Sequence, residues 1–132
     1  MSWDIHRKTF IKMYSEQMNK PLQEIPDNSR ILMLGLGAMI IPRFILPKCK
    51  FYIVENNDEV IQESIRFMSG HTMFKGDAKT LKLKRLKFDY IIIDCFHQPI
   101  SKNELHEYLD HYSTNVEDIT NNYFILKDFV YG

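Results

Sequence analysis

The chain has little of several features that mark specialised classes of protein. Its 132 residues carry no net charge, with 17 basic and 17 acidic side chains. Binding to nucleic-acid phosphates usually requires an excess of basic residues, so we expect no nucleic-acid partner. No apolar run approaches the roughly 18 residues that suggest a membrane-spanning helix, and the N-terminus lacks the pattern of a secretory signal. We therefore expect no membrane association and a cytoplasmic location.

Cysteine is also scarce, and the two cysteines present do not predict a disulfide. Cys49 precedes the second predicted strand and Cys95 follows the fourth, at opposite ends of the predicted sheet. Strands of this length separate the two by roughly 15–20 Å, whereas a disulfide requires Cα atoms within about 7 Å. We predict two free thiols that pack as small core residues, and we expect no metal cofactor.

Two of the five glycines follow a wholly apolar strand pattern. The segment from Ile31 to Met39, ILMLGLGAM, runs from four apolar residues into Gly35 and Gly37. Such a run predicts a strand buried on both faces, as in a parallel sheet covered by helices. Glycines at its end allow a tight turn and a close approach of the backbone to a ligand. The amides of the next helix would face the same space, which indicates a binding site.

Strand and helix patterns alternate along the chain and predict a single α/β domain over residues 1–132. Helical spacing of apolar residues predicts an N-terminal helix over 3–19 that packs on the sheet. The predicted strands are 30–34, 50–55, 72–75, 90–93 and 123–126, and the predicted helices between them are about 39–46, 56–68 and 101–114. This order predicts a Rossmann-like, doubly wound parallel sheet with helices on both faces and a ligand at the carboxyl ends of the strands.

The first four predicted strands all end in residues of a type that binds ligands. They are Gly35 with Gly37, then Glu55, Asp77 and Asp94. In a parallel sheet these ends meet at one edge, where Glu55 could accept hydrogen bonds from a ribose diol and Asp77 from an adenine amino group. An isolated acidic residue at a strand end is more often a helix cap or a loop residue than a ligand-binding residue. Together they predict a nucleoside site.

An NAD-binding domain is one alternative for this glycine turn. The dinucleotide fingerprint G-x-G-x-x-G requires a third glycine, but Ile40 occupies that position. We therefore regard NAD as the less favoured ligand.

Four segments, in the right order and spacing, resemble the spermidine synthase branch (polyamine aminopropyltransferases) of the class I S-adenosylmethionine-dependent methyltransferase fold. They are GLGAMIIPRFILP, FYIVENNDEVIQES, GDAKTL and FDYIIIDCF, within residues 10–98. The "PRF" after the glycine turn and the "DCF" after the fourth strand are the pieces specific to that branch. The resemblance implies S-adenosylmethionine or its decarboxylated form as the cofactor, with methylthioadenosine as the product of aminopropyl transfer.

The same resemblance implies roles for individual residues. The ribose would bind Glu55, with Asn56 beside it, and the adenine would lie near Asp77 and Ala78. Asp94 would lie under the reacting sulfonium end of the nucleoside. The acceptor would be a small amine, whose attack is helped by a group that takes up its proton.

Two positions depart from the family pattern. Ala38 stands where spermidine synthases carry an acidic residue in the glycine turn. His97 stands where they carry a second aspartate after the fourth strand, and a neutral imidazole could accept the proton of the amine. We predict Asp94 and His97 as the catalytic residues of a minimal aminopropyl- or methyltransferase. The alternative is a catalytically inactive relative that binds a nucleoside or regulates a partner.

The resemblance also implies the strand order 3-2-1-4-5. Methyltransferase-like folds normally add a sixth and a seventh strand, which we expect this chain to lack. The fifth strand, containing YFIL at 123–126, would then be an exposed apolar edge. Exposed edges are normally covered or paired. We therefore expect a homo-oligomer that covers this strand.

Overall fold

The computed structural model describes residues 3–95, 98–127 and 130–131, with the backbone alone for residues 3–6 and 38. These residues form three α-helices and seven strands. The helices are α1 (Trp3–Gln17), α2 (Asp58–Ser64) and α3 (Lys102–His111). The strands are β1 (Arg30–Leu34), β2 (Lys50–Glu55), β3 (Thr72–Lys75), β4 (Tyr90–Ile93), β5 (Ile100–Ser101), β6 (Tyr123–Ile125) and β7 (Val130–Tyr131).

Five of the strands form one parallel sheet in the order β3-β2-β1-β4-β6. Strand β6 is the predicted fifth strand, so the predicted fold and strand order are confirmed. The short strands β5 and β7 form a separate parallel pair that the sequence pattern did not predict. The central position of β1 explains its apolar run, since both faces of a central parallel strand are covered.

Alternate residues of β1 pack into two separate cores. Ile31 and Met33 pack with α1 and the segments after β1 on one face of the sheet, which we call the α1 face. Leu32 and Leu34 pack with α3 on the other, the α3 face. Successive side chains of a strand point to opposite faces, so a wholly apolar strand supplies both cores. Helices therefore lie on both faces, as predicted.

The predicted helix over 39–46 is not an α-helix. A 3-10 turn, Gly37–Met39, is followed by a π-helical segment, Ile41–Ile45, in which the Leu46 N–H donates to the Ile41 carbonyl at 2.9 Å. Pro42 lacks an N–H and so cannot continue an ordinary α-helical ladder. The connection from β3 to β4 also contains no α-helix. This connection is basic, and most of its lysines and its arginine are exposed.

The structure also bears on the two cysteines, on membrane-spanning helices and on metal binding. Cys49 and Cys95 are both free thiols, as predicted. Within the described ranges, no helix is long and apolar enough to cross a bilayer. The same ranges contain no group of three or more His, Cys, Asp or Glu side chains able to hold a metal ion.

The outer edge of β6 is not open, which corrects the expectation of an exposed edge strand. Asn19, just after α1, donates its backbone N–H to the Ile125 carbonyl and accepts the Ile125 N–H on its Oδ1, both at 3.0 Å. Its Nδ2 also donates to the Tyr123 carbonyl at 3.4 Å. Met18 and Leu126 form an antiparallel bridge beside it. The chain thus closes this edge itself, which removes the reason for expecting a homo-oligomer there; the oligomeric state stays a prediction.

We expect Asn19→Ala to destabilise the protein by about 1–2 kcal/mol, because the Ile125 N–H loses its acceptor. The opened edge should also promote self-association. Urea unfolding and light scattering at increasing protein concentration measure the two effects. Asn19→Asp is the matched control, since it keeps the Oδ1 acceptor. An Asn19→Ala protein with the stability and mass of the original chain would show that Asn19 does not close the edge.

Candidate functional site

A cavity of about 800 Å³ lies at the carboxyl ends of the central strands. It brings together seven of the eight residues predicted for the site. They are Gly35, Gly37, Glu55, Asn56, Asp77, Ala78 and Asp94. The eighth, His97, lies outside the described residues. The sheet therefore gathers side chains that are up to sixty positions apart, as expected for ligand binding at the carboxyl edge of a parallel sheet.

A larger cavity, of about 1290 Å³, opens at the opposite edge of the sheet. Arg30, Phe88 and Asp89, at the amino ends of β1 and β4, are among its lining residues. Ligands of open α/β sheets bind at the carboxyl edge, where the loops after the strands diverge. We therefore assign the smaller cavity as the candidate site.

The glycine turn lies directly against the end of β4. Gly35 has φ +93°, and a Cβ there would lie 2.1 Å from the Asp94 carbonyl oxygen. Gly37 has φ +50°, and a Cβ there would lie 3.0 Å from Asp94 Oδ2. Gly35 is thus required by backbone conformation and by close approach, whereas at Gly37 the left-handed backbone favours glycine and the contact is with a side chain that can move. The Asp94 carboxylate consequently lies beside the glycine turn, at the edge of the cavity.

Glu55 joins the glycine turn to the loop after β2. Its Oε1 accepts the Leu36 N–H at 3.1 Å, and its Oε2 accepts the Asn56 and Asn57 N–H groups at 3.0 and 3.1 Å. A carboxylate offers about four acceptor positions, so these bonds leave about one for a ligand. Glu55 is therefore both a structural clamp and a candidate for ribose binding. Asn57 in turn caps α2, accepting two backbone N–H groups on its side chain.

Asp77 begins the turn after β3 and keeps part of its carboxylate available. Its Oδ1 accepts the Lys79 N–H at 2.8 Å, while its backbone carbonyl accepts from Thr80 and Leu81. None of these bonds uses Oδ2. The next carbonyl, of Ala78, accepts the Tyr112 hydroxyl at 2.5 Å. Tyr112, the residue directly after α3, thereby holds the loop in which an adenine ring is expected to lie.

The lining of the cavity also includes residues that the sequence pattern did not place in the site, among them Tyr108 and Cys95. Tyr108 of α3 and Cys95 after β4 form the wall beside Ala78, and the thiol donates to the Tyr108 hydroxyl at 3.5 Å. Burial raises the pKa of both groups above the usual values, so both stay protonated near neutral pH. The helix over 101–114 is predicted from Leu105, Tyr108, Leu109 and Tyr112 at helical spacing, which places Tyr108 on its buried side. Only the packing of α3 on the sheet shows that this side also reaches the cavity.

Helix α1 contributes a buried phenol to the electrostatics of the site. Tyr14 is 9% exposed. Burial raises the pKa of its hydroxyl, and the negative charge of Asp94 raises it further. The phenol therefore stays neutral and lies within electrostatic range of the Asp94 carboxylate.

Comparison with known proteins gives matches at the level of structure alone. No family model matches the chain, and no curated protein matches its sequence. Coclaurine N-methyltransferase, bound to N-methylheliamine and SAH, is 18% identical with a TM-score of 0.59 over 89% of this chain. CalS10, an amino pentose methyltransferase from Micromonospora echinaspora, is 16% identical with a TM-score of 0.56 over 88%. A Plasmodium falciparum dimethyladenosine transferase is 14% identical with a TM-score of 0.57 over 84%.

The fold is that of the class I S-adenosylmethionine-dependent methyltransferases. The chain spans 35%, 47% and 38% of the length of these three structures, so it corresponds to part of each. The broad family implied by the sequence resemblance agrees with this fold. None of the three structures is an aminopropyltransferase, so the spermidine synthase branch has no support from them.

Proposed function

We propose that the chain binds S-adenosylmethionine in this cavity and transfers its methyl group to a small acceptor. One observation carries the proposal: the Asp94 carboxylate lies against the glycine turn in the same cavity as Glu55 and Asp77. The methyltransferase fold supports the same conclusion, since solved structures similar to this chain include proteins bound to SAM or SAH.

The residues fit such a ligand. The cavity volume lies in the usual range for small-molecule sites. Glu55 retains about one acceptor position for a ribose hydroxyl, and Asp77 retains Oδ2 for an adenine amino group. Ala78, Cys95 and Tyr108 supply a neutral wall for the ring.

When bound, S-adenosylmethionine would supply an electrophilic methyl group on a positively charged sulfur. Asp94 would hold that charge next to the glycine turn, because opposite charges attract strongly in a partly buried site. An amine acceptor must also lose a proton. Cys95, Tyr108 and Tyr14 cannot take up this proton near neutral pH, because the raised pKa of each keeps it in its protonated form. Among the described residues at this end of the cavity, Asp94 remains as a proton acceptor, and His97 stays a prediction.

Aminopropyl transfer is the second candidate, favoured by the "PRF" and "DCF" segments of the sequence. It would use decarboxylated S-adenosylmethionine and release methylthioadenosine. The two candidates share the adenosine-binding residues and differ only at the reacting end of the nucleoside.

Isothermal titration of the full chain tests the proposal. We expect S-adenosylmethionine and S-adenosylhomocysteine to bind, and NAD not to bind. Tighter binding of decarboxylated S-adenosylmethionine would favour aminopropyl transfer instead. If none of the sulfur nucleosides binds, the proposal is wrong. Binding without transfer to any amine tested would favour the inactive relative.

A conservative variant of Asp77 tests its role in nucleoside binding without disturbing the turn. Asp77→Asn keeps the Oδ1 acceptor that the Lys79 N–H uses, so we expect the turn and the thermal midpoint to be preserved. It replaces Oδ2 with an amide NH₂, which cannot accept from the adenine amino group. Nucleoside affinity should fall about ten-fold. Unchanged affinity would show that Asp77 only shapes the turn.

A further inference from the structure

The cavity extends beyond the residues assigned to the adenosine. Arg43 of the π-helical segment, together with Arg66 and Phe67 after α2, lines the same cavity as Glu55. Phe67 packs against the core of the α1 face, whereas Ala78 and Cys95 pack against that of the α3 face. The extension therefore lies across the cleft from the adenine wall.

Two guanidinium groups share one aromatic ring in this extension. The Cζ atom of Arg43 lies 3.7 Å from the centre of the Phe67 ring, and that of Arg66 lies 4.6 Å from it. Arg43 also lies 4.5 Å from the centre of the Phe44 ring and is half-buried. Cation–π contacts of this kind hold a guanidinium by its face. A contact through the face of the group does not use its N–H donors.

Among the residues whose side chains the structure describes, neither arginine has an acidic partner. In the described part of the chain the ion pairs are made by Lys48, Lys75 and Lys79, and neither Arg43 nor Arg66 lies within 4.0 Å of a carboxylate. Glu63 lines the same cavity but does not pair with either of them. A guanidinium has five N–H donors in a planar fork that matches carboxylate and phosphate oxygens. Two such forks, positioned by one ring and with no counter-ion in the described ranges, are suited to an anion.

We propose that Arg43 and Arg66 form a subsite for an anionic group, a phosphate or a carboxylate, carried by the acceptor substrate. The assignment to the acceptor rests on the proposed function, because the adenosine is placed on the opposite wall of the cleft. The subsite would orient the acceptor by its anion and present its nucleophile toward the end of the cleft at Asp94.

Inorganic phosphate and acetate, titrated into the full chain at constant ionic strength, probe the subsite directly. We expect saturable binding of at least one anion, with competition between the two. The tighter anion indicates which group the acceptor carries. Arg43→Gln and Arg66→Gln should each weaken binding about ten-fold, because each removes charge-assisted hydrogen bonds. Arg43→Lys should restore only part of the affinity, since lysine keeps the charge without the fork.

Arg85→Gln is the matched control. It removes one exposed positive charge from the basic β3–β4 connection, away from this cavity. Anion affinity should be unchanged in this variant. Non-saturable binding, or an equal loss in Arg85→Gln, would overturn the proposal and indicate general electrostatic attraction. Circular dichroism of each variant identifies any that fail to fold, and Arg66→Lys then replaces a misfolded Arg66→Gln.

Anion titrations of the nucleoside-saturated protein show whether the bound anion belongs to the acceptor substrate or to the methyl donor. We expect phosphate to bind equally with S-adenosylhomocysteine or methylthioadenosine present. If only S-adenosylhomocysteine blocks phosphate, its own carboxylate fills the subsite and the assignment to the acceptor is wrong. If phosphate binds but no sulfur nucleoside does, the anion site stands and the proposed methyl transfer fails. If a sulfur nucleoside binds but neither anion does, the anion subsite is wrong and the proposed methyl transfer stands.

Discussion

Replacing Gly35 with alanine is expected to destabilise the protein by about 3–5 kcal/mol. Two effects add. A left-handed backbone costs an alanine about 1–2 kcal/mol, and Gly35 has φ +93°. The new Cβ would also lie 2.1 Å from the Asp94 carbonyl oxygen and 2.9 Å from the Cys95 Cα. These are backbone atoms at the end of β4, so they cannot move aside as a flexible side chain could.

The clash is costly because the surrounding backbone is held by the sheet. The Gly35 N–H donates to the Val54 carbonyl at 2.9 Å, and the Asp94 N–H donates to the Leu34 carbonyl at 2.8 Å. Separating the two chain segments would break this pairing between β1, β2 and β4. A loss of 3–5 kcal/mol is a large share of the roughly 5–15 kcal/mol that stabilises a typical domain. We therefore expect much of the Gly35→Ala protein to be unfolded under mild denaturing conditions.

The Gly70→Ala variant measures the cost of the left-handed backbone without the steric clash. Gly70 has a similar φ, +83°, but a Cβ there would meet no atom within 4 Å. This variant should lose only about 1–2 kcal/mol. Urea unfolding followed by circular dichroism measures both variants. Equal losses in the two proteins would show that the approach of Asp94 to Gly35 is not a real constraint.

Replacing Glu55 with alanine is expected to lower stability by about 2–3 kcal/mol and to abolish nucleoside binding. The sequence alone predicts that this change removes binding and leaves the fold intact. The structure adds a structural cost, because Leu36 is 1% exposed and its N–H would lose its acceptor. The N–H groups of Asn56 and Asn57 belong to exposed residues, so water can replace the carboxylate there.

Glu55→Gln is the matched variant for this prediction. Its amide oxygen can accept the Leu36 N–H, so most of the stability should return. Its affinity for S-adenosylhomocysteine should still fall about ten-fold, because a charged acceptor is replaced by a neutral one. Thermal unfolding gives the stability of each variant. Titration calorimetry, at a temperature below the unfolding midpoint of the least stable variant, gives the affinity. Full stability in Glu55→Ala would contradict the role of Glu55 as a clamp.

The sequence alone determined the parallel sheet and the edge at which its site forms. Apolar strand runs and acidic residues at strand ends are local signals. The right-handed crossovers between parallel strands place the connecting segments on the faces of the sheet, whereas the strand order was implied by the family resemblance. Gly35, Glu55, Asp77 and Asp94 could therefore be assigned to one cavity before any contact was known.

Other features depended on contacts that no local pattern encodes. Asn19 closes the edge of β6 from more than one hundred positions away in the chain, and its type is common in any loop. Tyr108 carries the helical spacing of a core residue, so its contact with the cavity followed only from the packing of α3. Two further features, the non-α-helical segment around Pro42 and the absence of an α-helix between β3 and β4, were not predictable either. The helix propensities of these segments are weak, and packing on the sheet overrides them.

The glycine turn shows most clearly which features the sequence predicted and which only the tertiary structure determined. Its sequence predicted a close approach of the backbone to a ligand, and that part rests on the conformational freedom of glycine. The tertiary structure decided that Gly35 is required by the backbone of β4, and that Glu55 first holds the turn before any ligand binds. It also decided that Arg43 and Arg66 meet on one phenylalanine ring. Such details depend on distances between segments, which are determined only when the whole sheet and both of its cores are packed.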